Sequence, residues 1–313
     1  MTRLGPLVVA LAVACAAWPA GMAVAVVLLC AGPHNWCEAR YFLARMPARW
    51  GPLRPYVLAG GGGVALLAAS FIAMAVATTH GQASTDAVWL ALSVWHTALV
   101  GWIALLVTLR QRLPHAPDWG WMVPPALVFL AAAWAVPLWA SVALVYLHPL
   151  LALVFLDREL AVRRVPWHGA YRATLACVPL LLVGLWWTTA TPSAAAVASP
   201  PELAQAGAFL LPAGAAAAVL ATHVFLESLH YLVWIVGIPL VTAAAPWHLR
   251  RVPLAMRSRG WRRVLAIVLG VGAMAVGVLW IAFAVDYETT RQVYFTVAIV
   301  HVLAEVPFLI RLA

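Results

Sequence analysis

The chain has no lysine and only 10 acidic residues in 313, far too little charge for a water-facing surface. Charged residues make up 9% of the sequence against 65% hydrophobic ones, and the mean hydropathy is +0.95. This composition excludes a soluble globular domain and predicts an all-α, polytopic membrane helix bundle. All 19 basic residues are arginine, but no basic stripe interleaved with aromatics lies on a polar face. Nucleic-acid binding is therefore excluded, and the net charge of +9 is read as a marker of membrane orientation. The four cysteines, Cys15, Cys30, Cys37 and Cys177, lack both C-x-x-C and C-x-x-C-H spacing. That removes zinc knuckles and covalent c-type haem, and the cysteines read as small packing residues. No H-E-x-x-H run is present, so a membrane zinc protease is excluded as well.

Apolar windows of about 20 residues predict nine spans. They lie near 6–31, 56–79, 87–109, 120–136, 138–157, 173–191, 213–240, 264–285 and 292–311. Pro137 divides the fourth from the fifth, because proline removes a backbone donor and kinks a helix. Arginine is concentrated in alternate connections: Arg40 to Arg54, Arg110 and Arg112, Arg158 to Arg172, Arg250 to Arg263, and Arg311. The positive-inside rule then puts the N-terminus outside and the C-terminus in the cytoplasm of a bacterial inner membrane, with Arg3 and Arg291 as exceptions. Residues 34–54 mix four arginines with Trp36, Tyr41, Phe42 and Trp50, and read as an amphipathic segment lying among lipid headgroups. The whole chain, 1–313, is expected to form a single transmembrane domain.

Three times a histidine is followed four residues later by a glutamate: His34 with Glu38, His223 with Glu227, and His301 with Glu305. Random placement of these residues gives about 0.2 such pairs, and on a helix this spacing puts both side chains on one face. His96, His148 and His230 also fall inside predicted spans. Ionisable groups at membrane depth are costly and mark sites that pair, relay protons or bind an ion. His148, His301 and His230 each lie about ten residues from a predicted span end, roughly 15 Å deep, and so share a level. Glu227 and His230 repeat the Glu-x-x-His spacing of carboxylate-bridged di-iron bundles, which points to a two-ion site, while His230 with His148 and His301 suits a single ion. The candidate ligands are His148, His223, Glu227, His230, His301 and Glu305, followed by His34, Glu38 and His96. Imidazole with carboxylate and no thiolate suits non-haem iron, one or two ions, with zinc or manganese as alternatives. His80, His115, His168 and His248 fall beside glycine, proline or tryptophan and read as interfacial.

The order of these residues resembles the Brp/Blh family of bacterial membrane β-carotene cleaving dioxygenases. The likeness rests on Pro33-His34 with Glu38, then His96 and His148, then Ala221-Thr222 leading to Glu227, His230, Tyr231 and Trp234, and finally His301 with Glu305 and Arg311. The chain departs from that pattern at Asn35-Trp36 and in the spacing of Glu227 and His230. The resemblance implies a membrane iron enzyme that takes a long apolar substrate, such as a carotenoid or another lipid, from the bilayer. A second reading, a transporter or channel using the same cluster as a proton relay or metal-ion path, draws on helices broken by proline. Membrane lipids are the remaining expected partner, and the oligomeric state is left open.

Overall fold

The computed structural model describes residues 4–113, 117–189, 203, 206–212, 215–242 and 249–312. His115, His248 and nearly all of the arginine-free stretch 192–204 lie outside the described residues. Among those described there is no strand, and eight helices are long and apolar enough to cross a membrane. The protein is an all-α bundle of membrane-spanning type. Its main helices are α1 (Leu4–Ala17), α2 (Pro19–Arg45), α3 (Arg54–Thr79), α4 (Thr85–Gln111) and α5 (Val123–Ala135). They are followed by α6 (Pro137–Val162), α7 (His168–Thr189), α8 (Ala216–Leu232), α9 (Arg259–Val285) and α10 (Tyr287–Leu312). A π-helical turn, Val233–Gly237, and the short helix Ile238–Thr242 extend α8.

Two expectations are corrected. The first predicted span, 6–31, is broken at Trp18, whose backbone (φ −147°, ψ 60°) leaves the helical region just before Pro19. The cause is the steric clash between a proline ring and the residue preceding it. Val136 before Pro137 adopts φ −145°, ψ 67°, the same break at the position expected from sequence. The second correction concerns residues 34–45, predicted to lie among headgroups: they form the last turns of α2, with His34, Glu38, Tyr41 and Phe42 buried.

The described ends of the chain pack into one cluster. α1 packs along α7, and Leu4 joins the apolar cluster of Tyr41, Leu160 and Tyr171 that Leu312 also joins. Leu4 and Leu312 thus meet in one cluster near the arginine-rich end of the bundle. The break at Trp18 and Pro19 divides residues 6–31 between two helices, α1 and α2. Among the described residues there are eight long apolar helices and two shorter ones, Leu4–Ala17 and Gly120–Ala135, which fits the expected bundle of about nine spans.

α8 is the axis of the fold. It is buried on nearly every side, from Ala216 to Tyr231, and is wrapped by α1, α2, α6 and α7. Its small residues Ala216, Ala217, Ala218 and Ala221 let neighbouring backbones approach closely. By contrast α9 is almost entirely exposed and packs on α2 and α10. At the arginine-rich end, buried Glu159 of α6 accepts hydrogen bonds from the Tyr41 hydroxyl (2.8 Å), from Arg45 and from Arg163 (3.1 Å). Arg311 donates to the Arg45 carbonyl at 3.1 Å, which ties the end of α10 to the same corner. At the opposite end Asp286 accepts from the Thr289 backbone N–H at 3.1 Å, and its hydrogen bonds with Thr289 hold its carboxyl below the usual carboxylate range.

Candidate metal centre

Four of these helices bring their polar residues to one place. α2 supplies His34 and Glu38, α6 supplies His148, α8 supplies His230, and α10 supplies His301 and Glu305. Donor atoms of His34, Glu38, His230 and His301 all lie within 4.8 Å of one another, as do those of His148, His230 and Glu305. The ring centroids of His148 and His230 are 4.5 Å apart, and those of His34 and His301 are 5.1 Å apart. Cysteine donors take part in neither group, although Cys30 and Cys37 lie on α2.

Local irregularity accompanies every contribution. Pro33 precedes His34, Pro149 follows His148, and Pro307 lies two residues beyond Glu305, each inside its helix. α8 loosens into its π-helical turn three residues after His230. Proline interrupts the hydrogen-bond ladder, and π turns recur at functional sites, so each of the four helices carries a ladder interruption or a π turn close to its cluster residues.

The hydrogen bonds fix orientation without satisfying the donors. Nδ1 of His34 is 3.1 Å from the Cys30 carbonyl, which leaves Nε2 for the cluster. Trp234 donates its indole N–H to Oε1 of Glu305 at 3.2 Å, leaving Oε2 opposite Nδ1 of His148 at 3.3 Å. That last pair lacks hydrogen-bond geometry at either atom. Two ligands of one tetrahedral ion with bonds of about 2.0–2.1 Å stand roughly 3.3 Å apart, so the spacing suits shared ligation. Without a hydrogen-bond partner are Nε2 of His34, Oε2 of Glu38, Nδ1 of His148, both nitrogens of His230, Nδ1 of His301 and Oε2 of Glu305. A buried polar group left unsatisfied costs about 1–3 kcal/mol. All seven atoms belong to residues of the two donor groups, a set whose carboxylates and imidazoles can hold a cation.

The other candidates lie elsewhere. Glu227 belongs to neither donor group: Oε1 accepts from the Tyr231 hydroxyl at 2.7 Å and Oε2 faces Nδ1 of His223 at 4.0 Å. The expected sharing of an ion between Glu227 and His230 is thereby corrected. Three residues on a helix turn the side chain by about 60° from eclipse, and Glu227 aligns instead with His223 and Tyr231, at i−4 and i+4. His96 is buried beside Trp95 and Phe129, with Nε2 3.3 Å from the Ser141 hydroxyl, and it ties α4 to α6 outside the cluster. Of the histidines read as interfacial, His80 is exposed in the turn after α3, and His168 opens α7 with its Nε2 hydrogen-bonded to Oδ1 of Asp157 at 2.7 Å.

Sequence reasoning named Tyr231 and Trp234 only as part of the resemblance, without a role, and did not single out Tyr294. Tyr231 stacks on His34 with centroids 4.0 Å apart, and Tyr294 accepts from the Asn35 amide at 3.1 Å and donates to the Ala31 carbonyl at 3.2 Å. Trp234 carried one usable signal, its position four residues after His230. Comparison of the chain with protein-family models, with curated proteins and with solved structures gives no match.

Proposed function

We propose that this chain is a membrane-embedded metalloenzyme of the non-haem iron, oxygen-activating type, acting on a lipophilic substrate drawn from the bilayer. The observation that carries the reading is the convergence of four imidazoles and two carboxylates, largely unsatisfied, inside a bundle of apolar helices. Nitrogen and oxygen donors without thiolate suit iron, with manganese and zinc as alternatives. Bound iron of this kind supplies redox chemistry with dioxygen. His34 is held in one orientation by the Cys30 carbonyl and by the Tyr231 ring, and Glu305 by the Trp234 indole. Such supports fix ligand geometry and raise affinity. His34, Glu38, His230 and Glu305 are buried, which keeps bulk water from them, while His148 and His301 are partly exposed. The side of α6 and α10 is thus the approach for an apolar substrate. The resemblance to the Brp/Blh dioxygenases supports a carotenoid or similar lipid in that role.

The positive-inside rule makes the arginine-rich end cytoplasmic, with both chain ends on that side and a bacterial inner membrane as the setting. A transporter or channel has one observation in its favour, the buried run His223, Glu227 and Tyr231 along α8. Metal analysis of the purified protein separates the enzyme from a proton relay. The enzyme reading predicts stoichiometric metal that His301→Ala removes from a folded protein. Wild-type protein that takes up no metal would refute it.

A further inference from the structure

Resting on the metal-site reading above, we propose that the cluster holds two ions, each in a set of two histidines and one carboxylate. His34, His301 and Glu38 form one set, and His148, His230 and Glu305 form the other. The donors divide into two overlapping groups, with His230 the only member of both. Opposite ligands of a single octahedral ion stand about 4.2 Å apart for bonds of about 2.1 Å. A single ion serving all six residues would therefore hold every donor within about that distance of every other, whereas the six come together only as two groups.

The way α10 contributes points in the same direction. His301 joins the group of His34 and Glu38, and Glu305 joins that of His148. Ions in two-metal sites lie about 3.5–4 Å apart, a spacing these adjoining groups accommodate. His230 stands between them, its ring centroid 4.5 Å from His148 and 5.3 Å from His34, and neither of its nitrogens is hydrogen-bonded. Each set then has the two-histidine, one-carboxylate composition of open non-haem iron sites.

The test is anaerobic addition of Fe(II) to detergent-purified, metal-stripped full-length protein, followed by desalting and iron analysis. About two equivalents are expected. One equivalent overturns the two-ion proposal and leaves the metal-site reading standing, while none overturns both. Glu38→Gln and Glu305→Gln, each checked for fold by size exclusion and circular dichroism, should each retain about one equivalent. Full retention by one variant with complete loss by the other would mean a single ion. Should either variant fail to fold, the electron paramagnetic resonance spectrum of wild-type protein loaded with Mn(II) decides. A spin-coupled spectrum supports two neighbouring ions, and only the six-line pattern of isolated Mn(II) overturns the pair.

Discussion

Replacing Trp234 by phenylalanine tests whether Glu305 is held as a ligand. The indole N–H reaches Oε1 of Glu305 at 3.2 Å, and both residues are fully buried, so no water takes its place. A hydrogen bond to a charged group contributes about 1.5–3 kcal/mol. Loss of a group that orients a metal ligand lowers metal affinity about 10–100-fold, equivalent to about 1.4–2.8 kcal/mol. The two estimates agree, and we expect the dissociation constant for Fe(II) or Mn(II) to rise by that factor. The fold should survive, because phenylalanine keeps an aromatic ring among Tyr41, Phe42 and Phe155, whose centroids lie 5.4, 5.5 and 5.5 Å from that of Trp234. Competition against a fluorescent chelator in detergent reads the affinity, and thermal denaturation reads the fold. Unchanged affinity in a folded variant would refute the role given to the indole and with it the placing of Glu305 among the ligands.

Other expectations address the surroundings of the site. Glu159→Ala should lower stability by about 1.5–3 kcal/mol, since Tyr41, Arg45 and Arg163 lose a shared buried acceptor, and a denaturation midpoint in detergent measures it. Gly63→Val should cost about 1–3 kcal/mol or more, because any Cβ at 63 overlaps the Trp102 indole, which donates to the Ala59 carbonyl of the same helix. His96→Ala and Glu227→Ala should leave metal content at the wild-type value, as neither residue belongs to a donor group; metal loss in a folded variant would return them to the site. Tags placed at the two chain ends should be accessible from the same side of the membrane, and labelling from opposite sides would contradict the meeting of Leu4 and Leu312 in one cluster.

Helix class and most helix positions are legible in the sequence, because apolar runs of spanning length leave the backbone no other way to satisfy its hydrogen bonds. The break at Pro137 was equally legible, since residues 120–157 are too long for one span. The like break at Pro19 was hidden, because residues 6–31 have a length that fits a single span and no polar residue marks the turn. Hiding it also displaced His34 and Glu38 to the headgroup layer, when the continuation of α2 buries both at the cluster. Matched depth drew His148, His230 and His301 to one level, where the structure brings their side chains together. Depth alone did not separate the two polar stripes of α8. His223, Glu227 and Tyr231 run along one, and His230 and Trp234 along the next. On a helix buried all round, hydropathy does not say which stripe meets which neighbour.

The central claim, a metal held by buried imidazole and carboxylate, is tested most directly by X-ray absorption at the iron edge of the protein loaded with Fe(II). The account predicts a shell of nitrogen and oxygen near 2.0–2.2 Å with the outer-shell scattering of several imidazoles, lost when His34, His230 and His301 are replaced together by alanine. A sulfur shell near 2.3 Å, or a spectrum unchanged by that triple replacement, would contradict it.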